Sequence, residues 1–518
     1  MTQVREDASR DDVVRDDAVR NDAVRNDEAG GRMAAGQAGP DVAALARWMR
    51  TWVGGEGQIR GFHNHSVWGT NPATFVDFTS GHQAFSAPAT AAFGEVLASH
   101  PDERGLDLWR RMMLFQAQTV QDDGQFRHIG FQVGESATAG LIHNMVGCLG
   151  LLEGLRHAGH LLPDDERAEV LAAVRRDLDA CRVYGGGRPT PDGTVNQEYA
   201  RVWAKLRYEE LSGDDVYAAE LEDDLDALVR LSHVRGVPDG ESVGVFRQPT
   251  DREGGGILEP AEYYGLMVVP LVLGARRFDR PDLLEEAVAI CRHVARSAWT
   301  DDAGCTRFHR YWYVRGATHL LSTTPMLVAG MGLSLYGIEE VLADVDVPEL
   351  GEFRDACLRT YAHYQSPAGP FVSATGWHHE ADVAPSTAWH AHDLLFLARH
   401  ALARGDVDAS FWDEVFADPD RQAVILSDRA FWAEDGVHWC ILSPYTAGDL
   451  SIFGRKDRDT FARSFFAWTD KEPLPAELEY PDAPAFFVAD EGIFRVDGSD
   501  RPTDVTVVGP VPFRGRLD

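Results

Sequence analysis

Acidic, amide and phenol side chains occur together at the start of two apolar stretches. Asn196 precedes Glu198 and Tyr199 in one, and Glu262 and Tyr263 open the other. A carboxyl group or phenol held beside a substrate can transfer protons. Helix capping by Asn196 and dipole complementation by first-turn acids account for the same residues. Both interpretations stay open, with Glu198, Tyr199 and Glu262 as candidate catalytic residues and Tyr263 as a candidate substrate contact.

The first of these stretches also contains two candidate substrate contacts. Trp203 and Arg207 follow Tyr199 at intervals of four residues, which places all three on one face of a helix. An aromatic and cationic wall of this kind is uncommon in a simple core. We therefore expect Trp203 and Arg207 to contact substrate.

His143 and Asn144 lie in an apolar stretch that also contains Gly140, Gly147 and Gly150. Small neighbours leave room for a ligand over the polar pair, and they equally allow another helix to approach closely. We retain His143 and Asn144 as candidate substrate contacts with close packing as the alternative.

A glycine-containing segment at residues 61–68 combines two imidazoles, an amide and an indole. Loops that display such side chains are frequently binding surfaces. Asn64 and Trp68 are the candidate substrate contacts here. The alternative is that His63 and His65 satisfy buried carbonyl groups.

The densest cluster of histidines lies at residues 376–380 and 389–393. His390 and His392 are two residues apart on a predicted helix and so point in different directions. His379 also lacks the second His of an HExxH motif. The spacing therefore favours no metal and no cofactor. It favours acid–base chemistry, with His379 as a candidate catalytic residue, Trp377 and His390 as candidate substrate contacts, and a His390–Asp393 pair at i, i+3.

Twelve amphipathic stretches must position these side chains. Apolar residues recur at helical spacing and the stretches are separated by Gly, Pro and Asp, so we predict twelve helices. Helices joined in antiparallel pairs can bury their apolar stripes by closing into a ring, which leaves a cup at one end. The first predicted helix begins at residue 42 and ends at the glycines 54 and 55. The other eleven cover about 87–98, 104–120, 137–158, 164–182, 197–212, 216–233, 261–277, 281–298, 319–340, 349–364 and 386–404.

The two ends of the chain differ from this helical part. Between Val4 and Asp27 the pattern Val-Arg-(Asp/Asn)-Asp-Ala recurs with a period of five and carries few large apolar side chains, so burial cannot offset its ordering entropy. Short β-branched and aromatic runs at 424–425, 437–442, 485–488 and 505–508 predict strands. We predict three regions: a disordered tail over 1–38, a toroid over 39–420 and a small β-rich region over 421–518.

Composition excludes several classes of partner. A formal net charge of −33 argues against nucleic acid and anionic membranes, which require clustered Lys and Arg. The six cysteines include no CxxC pair, and no apolar run reaches the length of a membrane span. We expect a cytoplasmic protein with reduced thiols. The oligomeric state does not follow from the sequence.

Six helical hairpins followed by a minor β element resemble the (α/α)6 toroid of glycoside hydrolases, polysaccharide lyases and sugar epimerases. The resemblance covers roughly residues 40–405 and is architectural. Locally, the passage 121–128 resembles an Asp-Gly-Ser-Phe and His passage of some toroidal lyases, in which the His belongs to the site. The resemblance implies a catalytic His128. The Asn and Tyr expected downstream are replaced by Gln132 and Glu135. Independently of the resemblance, His128 and Glu135 lie just past the turn at Asp122–Gly124 and precede a predicted helix start at Ser136, so Glu135 is a further catalytic candidate.

Three functions are compatible with these residues. The first is a cofactor-independent glycoside hydrolase or lyase acting on a small-molecule or oligosaccharide substrate. Glu135, Glu198 and Glu262 could supply the paired carboxyl groups of hydrolysis, and His128 or Tyr199 the base of elimination. The second is a terpenoid cyclase or dehydratase-like toroid that uses acid-initiated carbocation chemistry. The third is a noncatalytic sugar-binding protein.

Overall fold

A computed structural model describes residues 39–51, 53, 55, 57, 59, 86–126, 141–181, 194–235, 244–249, 251, 255–300, 304–309, 312–315, 319–322, 325–326, 330–365, 369, 371, 387–417, 425–427, 430–431, 485–489, 492–496, 505–507 and 513–515. Within these ranges lie the twelve predicted helices and a short thirteenth. They are α1 Val42–Thr51, α2 Pro88–Ser99, α3 Glu103–Gln118, α4 Leu141–Ala158, α5 Asp164–Cys181, α6 Val195–Ser212, α7 Ala218–Ser232, α8 Tyr264–Phe278, α9 Pro281–Arg296, α10 Gly332–Asp344, α11 Pro348–Tyr364, α12 Thr387–Arg404 and α13 Phe411–Val415.

Local sequence signals explain where several helices begin and end. The carboxylate of Asp102 accepts two backbone N–H groups of the first turn of α3, at 2.8 and 3.0 Å. Pro281 and Pro348 open α9 and α11, where the missing N–H is not needed. Gly213 ends α6 with a φ of 75°, a conformation that glycine adopts without strain.

The even-numbered helices α2 to α12 form a closed inner ring. Each packs against the next, and α12 packs back against α2. The odd-numbered helices α1 to α11 form an outer layer in which each contacts at least one inner helix. The described part of the chain is therefore an (α/α)6 toroid, and the predicted fold is confirmed.

Glycines permit the closest contacts within the inner ring. A Cβ atom on Gly265 of α8 would lie 1.8 Å from the carbonyl oxygen of Leu333 in α10. A Cβ on Gly332, the first residue of α10, would lie 2.1 Å from the carbonyl oxygen of His392 in α12. Side chains at these two positions would push the inner helices apart.

The two ends of the ring differ in their connections. Each inner helix passes to the next helix along the chain through a short turn, at 100–102, 159–163, 213–217, 279–280, 345–347 and 405–410. The outer-to-inner connections are much longer, at 52–87, 119–140, 182–194, 233–263, 297–331 and 365–386. Because the hairpins alternate in direction, all six inner helices begin at one end, which we call the cup end. The opposite end is the closed end.

Two of the long connections contain strands that the sequence did not predict. Strand β1 (Gly256–Ile257) pairs with β4 (Trp312–Arg315), and β4 pairs with β5 (His319–Ser322), all antiparallel. A second sheet has the order β2 (Ala298–Thr300), β3 (Thr306–His309), β6 (Pro325–Met326). The helix predicted over 319–340 is therefore wrong in its first part, since α10 begins at Gly332. A short apolar run does not distinguish strand from helix by periodicity, and here pairing with β4 decides.

The C-terminal part contains antiparallel strands. They are β7 Ile425–Ser427 paired with β8 Ala430–Phe431, and a sheet of β9 Ala485–Ala489, β10 Gly492–Val496, β11 Val505–Val507 and β12 Phe513–Gly515. Strands predicted near 425, 485 and 505 are confirmed, and the one at 437–442 lies outside the described residues. The boundaries of the three predicted regions stay predictions. Among the described helices, none is long and apolar enough to cross a membrane.

Candidate functional site

Six of the candidate residues lie outside the described ranges and stay predictions. Each belongs to a segment that lies, along the chain, between an outer helix and the next inner helix. These residues are Asn64, Trp68, His128, Glu135, Trp377 and His379.

Aromatic side chains from two non-adjacent inner elements meet across the cup end. The ring of Tyr263, just before α8, lies 5.9 Å from that of Trp389 in α12. His392, one turn further along α12, lies 5.5 Å from Trp389 in an edge-to-face arrangement. Because α10 separates α8 from α12 in the ring, the contact between Tyr263 and Trp389 spans its interior. We call Tyr263, Trp389 and His392 the aromatic cluster.

Sequence reasoning identified Tyr263 as a site residue but not Trp389 or His392. The signal was present, since Trp389 and His392 are three residues apart at the start of a helix and therefore share a face. The i, i+3 spacing to Asp393 favours the neighbouring His390 instead. All three members of the aromatic cluster are nearly enclosed, with exposures of 6%, 1% and 0%.

Glu262 lies beside the cluster in a 3₁₀ turn, Ala261–Tyr263, that leads into α8. Its side chain is fully enclosed. Ser334 of α10 fastens this turn, because its hydroxyl donates to the Ala261 carbonyl at 2.6 Å and accepts the Gly265 N–H at 3.3 Å. Pro260 precedes the turn with extended backbone. Glu262 thus has a fixed backbone position beside Tyr263.

Glu259 is held by the start of α6. The backbone N–H and the side-chain amide of Asn196 donate to its two carboxylate oxygens at 3.1 and 3.0 Å. Burial raises the pKa of Glu259 to about 8, against the opposing effects of Arg247 and Asn196. The predicted helix cap at Asn196 is wrong, since the cap position is Thr194. Glu259 satisfies a first-turn N–H group that would otherwise lack an acceptor.

Asp393 plays the equivalent part for α10. Its oxygens accept the N–H groups of Gly330 and Gly332 at 2.9 to 3.0 Å and the hydroxyl of Tyr361 at 2.5 Å. Burial raises its pKa to about 7, against these hydrogen bonds. The His390–Asp393 pair expected from the spacing is not formed. His390 Nε2 instead accepts the Phe371 N–H at 2.9 Å.

The orientation of His390 follows from its position on α12. Its ring lies 4.9 Å from that of Trp48 in the outer helix α1 and is stacked 5.7 Å from Phe371. The imidazole therefore packs between layers of the toroid. Asn144 is placed in a similar way, because its Oδ1 accepts the N–H of Phe126 at 2.9 Å in the preceding connection. His143, at the start of α4, is also buried.

Glu198 belongs to a buried ion cluster between α6 and α7. It pairs with Arg201, and Lys205 one turn further bonds Glu220 and Asp224 of α7 at 2.8 and 3.3 Å. Burial raises the pKa of Glu198 to about 7, against the lowering effect of Arg201. These contacts direct Glu198 toward α7 and not toward the aromatic cluster.

Tyr199 is also directed to outer helices. Its hydroxyl lies 2.6 Å from Nε2 of His233, at the end of α7. Nδ1 of His233 lies 2.9 Å from Glu286 of α9, which also pairs with Arg235. Burial raises the pKa of Tyr199 well above its ordinary value. The predicted wall of Tyr199, Trp203 and Arg207 is therefore divided between two environments.

Trp203 and Arg207 share one acceptor in α4. Trp203 Nε1 and Arg207 Nε donate to Glu153 at 2.9 and 2.8 Å. Arg207 lies twelve residues beyond the start of α6, which is about 18 Å along the helix. A cavity of about 10 Å³ lies on the axis between Glu153, Trp203 and apolar side chains of all six inner helices, including Leu266, Leu333 and Leu395. That volume suits about one water molecule.

At the cup end, the described residues therefore bring Tyr263, Trp389 and His392 together, with Glu262 on the turn that leads into α8. Within the described residues, no group of three or more His, Cys, Asp or Glu side chains is arranged to hold a metal ion. Such a set can stack against a ring-shaped substrate and exchange protons with it.

No protein-family model and no curated protein matches the chain. Solved structures share its architecture. A sugar epimerase from a ruminal bacterium aligns with a TM-score of 0.49 at 13% identity, over 70% of this chain and 96% of that one. A D-mannose isomerase gives 0.48 at 10%, over 69% and 95%, and a family 76 glycoside hydrolase (mannosidase) of Bacteroides thetaiotaomicron gives 0.46 at 12%, over 71% and 100%. Sugar epimerases and glycoside hydrolases are among the classes that the resemblance named, and at this similarity these structures identify no reaction here.

Proposed function

We propose that this protein is a cofactor-independent carbohydrate-active enzyme, a glycoside hydrolase or lyase, that binds its substrate at the cup end. The observation that carries the proposal is the aromatic cluster beside Glu262. Tyr263 and Trp389 offer faces on which a sugar ring can stack. Glu262 and His392 are the groups beside them that can exchange protons. Because the three side chains of the cluster are nearly enclosed, a substrate can reach them only when the groups packed over them move aside.

The two reaction classes make different demands on these residues. Hydrolysis requires a second carboxyl group across the glycosidic bond from Glu262, and the candidate Glu135 would supply it. Elimination requires a base, for which His392 and the candidates His128 and His379 are suited. The same fold position serves both, so the product must decide between them.

A substrate screen with three readouts tests the proposal. The purified chain is incubated with neutral oligosaccharides and with uronate-containing polysaccharides. New reducing ends alone indicate hydrolysis, and reducing ends together with the absorbance of an unsaturated uronate indicate elimination. Binding without any product would overturn the enzymatic assignment in favour of a sugar-binding protein. Neither binding nor product across the panel would overturn the carbohydrate assignment.

Site variants then locate the reaction. Glu262→Gln and His392→Asn are expected to reduce kcat at least about 100-fold if each takes part in proton transfer. Glu349→Gln is the matched control, because Glu349 is 54% exposed at the start of α11 and pairs only with Arg292 among the ion pairs of the described residues. Unchanged kcat in folded Glu262→Gln and His392→Asn variants would contradict the proposed site. Loss of kcat in Glu198→Gln alone would move the site to the α6–α7 cluster.

A further inference from the structure

The turn that carries Glu262 and Tyr263 differs in conformation from the helix that follows it. It is a 3₁₀ turn over Ala261–Tyr263, in which the Tyr263 N–H bonds the Pro260 carbonyl at 3.0 Å. The ψ angles of Tyr263 and Tyr264 are −8° and −24°, less negative than the value of about −42° in an α-helix. The chain is therefore wound more tightly at the proposed site than in α8.

The hydroxyl of Ser334 lies where the first hydrogen bond of α8 would otherwise form. If α8 began one turn earlier, the Gly265 N–H would bond the Ala261 carbonyl, four residues back. Instead the Ser334 hydroxyl accepts the Gly265 N–H at 3.3 Å and donates to the Ala261 carbonyl at 2.6 Å. Ser334 is buried, and a side chain inserted between such partners interrupts the ladder of helical hydrogen bonds.

Glycines let α10 come close enough for this contact. A Cβ on Gly265 would lie 1.8 Å from the Leu333 carbonyl oxygen and 2.9 Å from the Ser334 nitrogen. A Cβ on Gly337, further along α10, would lie 3.2 Å from the Cα of Gly265. The backbones of α8 and α10 therefore meet at Gly265, which puts the Ser334 side chain beside the start of α8.

The start of α10 is also fixed to α12. Asp393 accepts the Gly332 N–H at 3.0 Å, and it directly follows His392 in α12. Ser334 lies in the same first turn of α10 as Gly332. This turn of α10 therefore connects the segment that carries Glu262 to the helix that carries His392.

Removal of the Ser334 hydroxyl would allow the Gly265 N–H to bond the Ala261 carbonyl directly. The turn would then change from about 3.0 to 3.6 residues per turn and from about 2.0 to 1.5 Å of rise per residue. Summed over the few residues to Gly265, Glu262 would rotate by about 40–60° about the helix axis and shift by about 1 Å. The hydroxyl therefore determines where the Glu262 side chain begins.

We propose that Ser334 is a positioning residue for the proposed reaction. Its hydroxyl holds the Ala261–Tyr263 turn out of α8 and so sets the direction of Glu262 relative to His392. Ser334 acts through the turn and exchanges no proton with the substrate. This role rests on the proposed function, in which Glu262 transfers a proton beside the aromatic cluster.

Crystal structures of the unaltered protein and of Ser334→Ala test the conformational step without an activity assay. In Ser334→Ala we expect a direct hydrogen bond of about 2.9–3.0 Å from the Gly265 N–H to the Ala261 carbonyl, with Glu262 rotated accordingly. A 3₁₀ turn that stays unchanged would overturn the inference. Ser297→Ala is the matched control, because the Ser297 hydroxyl is also buried and donates to a carbonyl of α9 at 2.6 Å. It should leave the turn as it is.

Steady-state kinetics test the effect on the reaction once the substrate screen identifies an activity. Ser334→Ala should lower kcat about 10- to 100-fold, because a misplacement of about 1 Å is enough to cost about 100-fold, and Ser297→Ala should keep kcat. In the Glu262→Gln background, Ser334→Ala should lower kcat no further, because the carboxyl group that it positions is absent. Equal fold-losses in both backgrounds would overturn the positioning role.

Failure of the proposed function is distinguishable from failure of the role of Ser334. If the unaltered protein turns over nothing in the screen, the proposed function is wrong, and the crystal structures still decide whether Ser334 holds the turn. If Ser334→Ala does not fold, Ser334→Cys takes its place, because a thiol donates and accepts hydrogen bonds only weakly. A displaced turn with a reduced kcat in Ser334→Cys supports the inference, and an unaltered turn with an unaltered kcat overturns it.

Discussion

Asn196 and Glu259 are joined by two hydrogen bonds, of 3.1 and 3.0 Å, across 63 residues of sequence. The pair ties the first turn of α6 to the segment that carries Glu262 and Tyr263. The pair explains why the carboxyl group of Glu259 is buried, since the N–H groups at a buried helix start need a hydrogen-bond acceptor. It also makes Asn196 a positioning residue for the proposed site.

Asn196→Ala should lower the free energy of unfolding by about 1–3 kcal/mol, because it leaves the enclosed Glu259 carboxyl group without its side-chain donor. Urea unfolding measures the change. In a double-mutant cycle with Glu259→Ala, the second substitution should cost less in the Asn196→Ala background. Strict additivity of the two free energies would mean that the pair is not coupled.

The close approach of α10 and α12 at Gly332 gives a second stability prediction. Gly332→Ala should destabilise the protein by about 1–3 kcal/mol or more, because its Cβ would lie 2.1 Å from the His392 carbonyl oxygen and 2.4 Å from the Asp393 nitrogen. Gly351→Ala in α11 is the control, since a Cβ there meets nothing within 4 Å. It should stabilise the helix by about 0.5–1 kcal/mol. Similar unfolding midpoints for both variants would contradict this contact.

Replacing the buried Glu153 should lower the free energy of unfolding more than replacing a carboxylate on the surface. Glu153→Gln leaves the buried Arg207 and the partly buried Arg156 without their shared carboxylate, at a cost of about 3–5 kcal/mol. Glu166→Gln, which breaks the pairing with the 45% exposed Arg110, should cost about 0–1 kcal/mol. Chemical denaturation of both variants at one pH compares them, and equal losses would contradict a larger structural role for Glu153 than for the surface residue Glu166.

Asp177 should make stability fall as pH rises. Burial raises its pKa from 3.8 to about 8, although the thiol of Cys181 donates to it at 3.2 Å. The folded state therefore binds a proton that the unfolded state releases above pH 3.8, and this contribution to stability is lost progressively up to about pH 8. Asp177→Asn should flatten that part of the profile in urea unfolding between pH 5 and 8.

Asp282 is the control, because its contribution to stability changes with pH in the opposite direction. Hydrogen bonding from Arg280 lowers its pKa, so its contribution is present above about pH 3.8 and is lost as pH falls further. Asp282→Asn should change stability only at acid pH and leave the slope between pH 5 and 8 unaltered. An unchanged slope in Asp177→Asn would show that Asp177 is ionised in the folded protein.

Once a substrate is identified, Tyr263 should affect binding through its ring. Tyr263→Leu removes the face that meets Trp389 and should raise KM by about 2- to 10-fold, the equivalent of a lost stacking contact. Tyr263→Phe keeps the ring and should keep KM. A KM that rises equally in both variants would assign the effect to the hydroxyl group instead.

Much of the helical architecture follows from local sequence. The period of the apolar residues placed all twelve long helices, usually within a few residues, because amphipathic spacing and Gly, Pro and Asp boundaries are properties of short segments. The exception, residues 319–331, depends on pairing between β4 and β5, which no local pattern encodes.

The sequence by itself determined that the chain would close as an (α/α)6 toroid with polar and aromatic residues in its connections. Only the tertiary structure decided what those residues do where it describes them. Glu259 and Asp393 satisfy helix starts, Glu198 faces α7, and Tyr263 meets Trp389 across the ring. The physical reason is direction: spacing assigns a side chain to a helix face, but the packing of distant helices determines what that face meets.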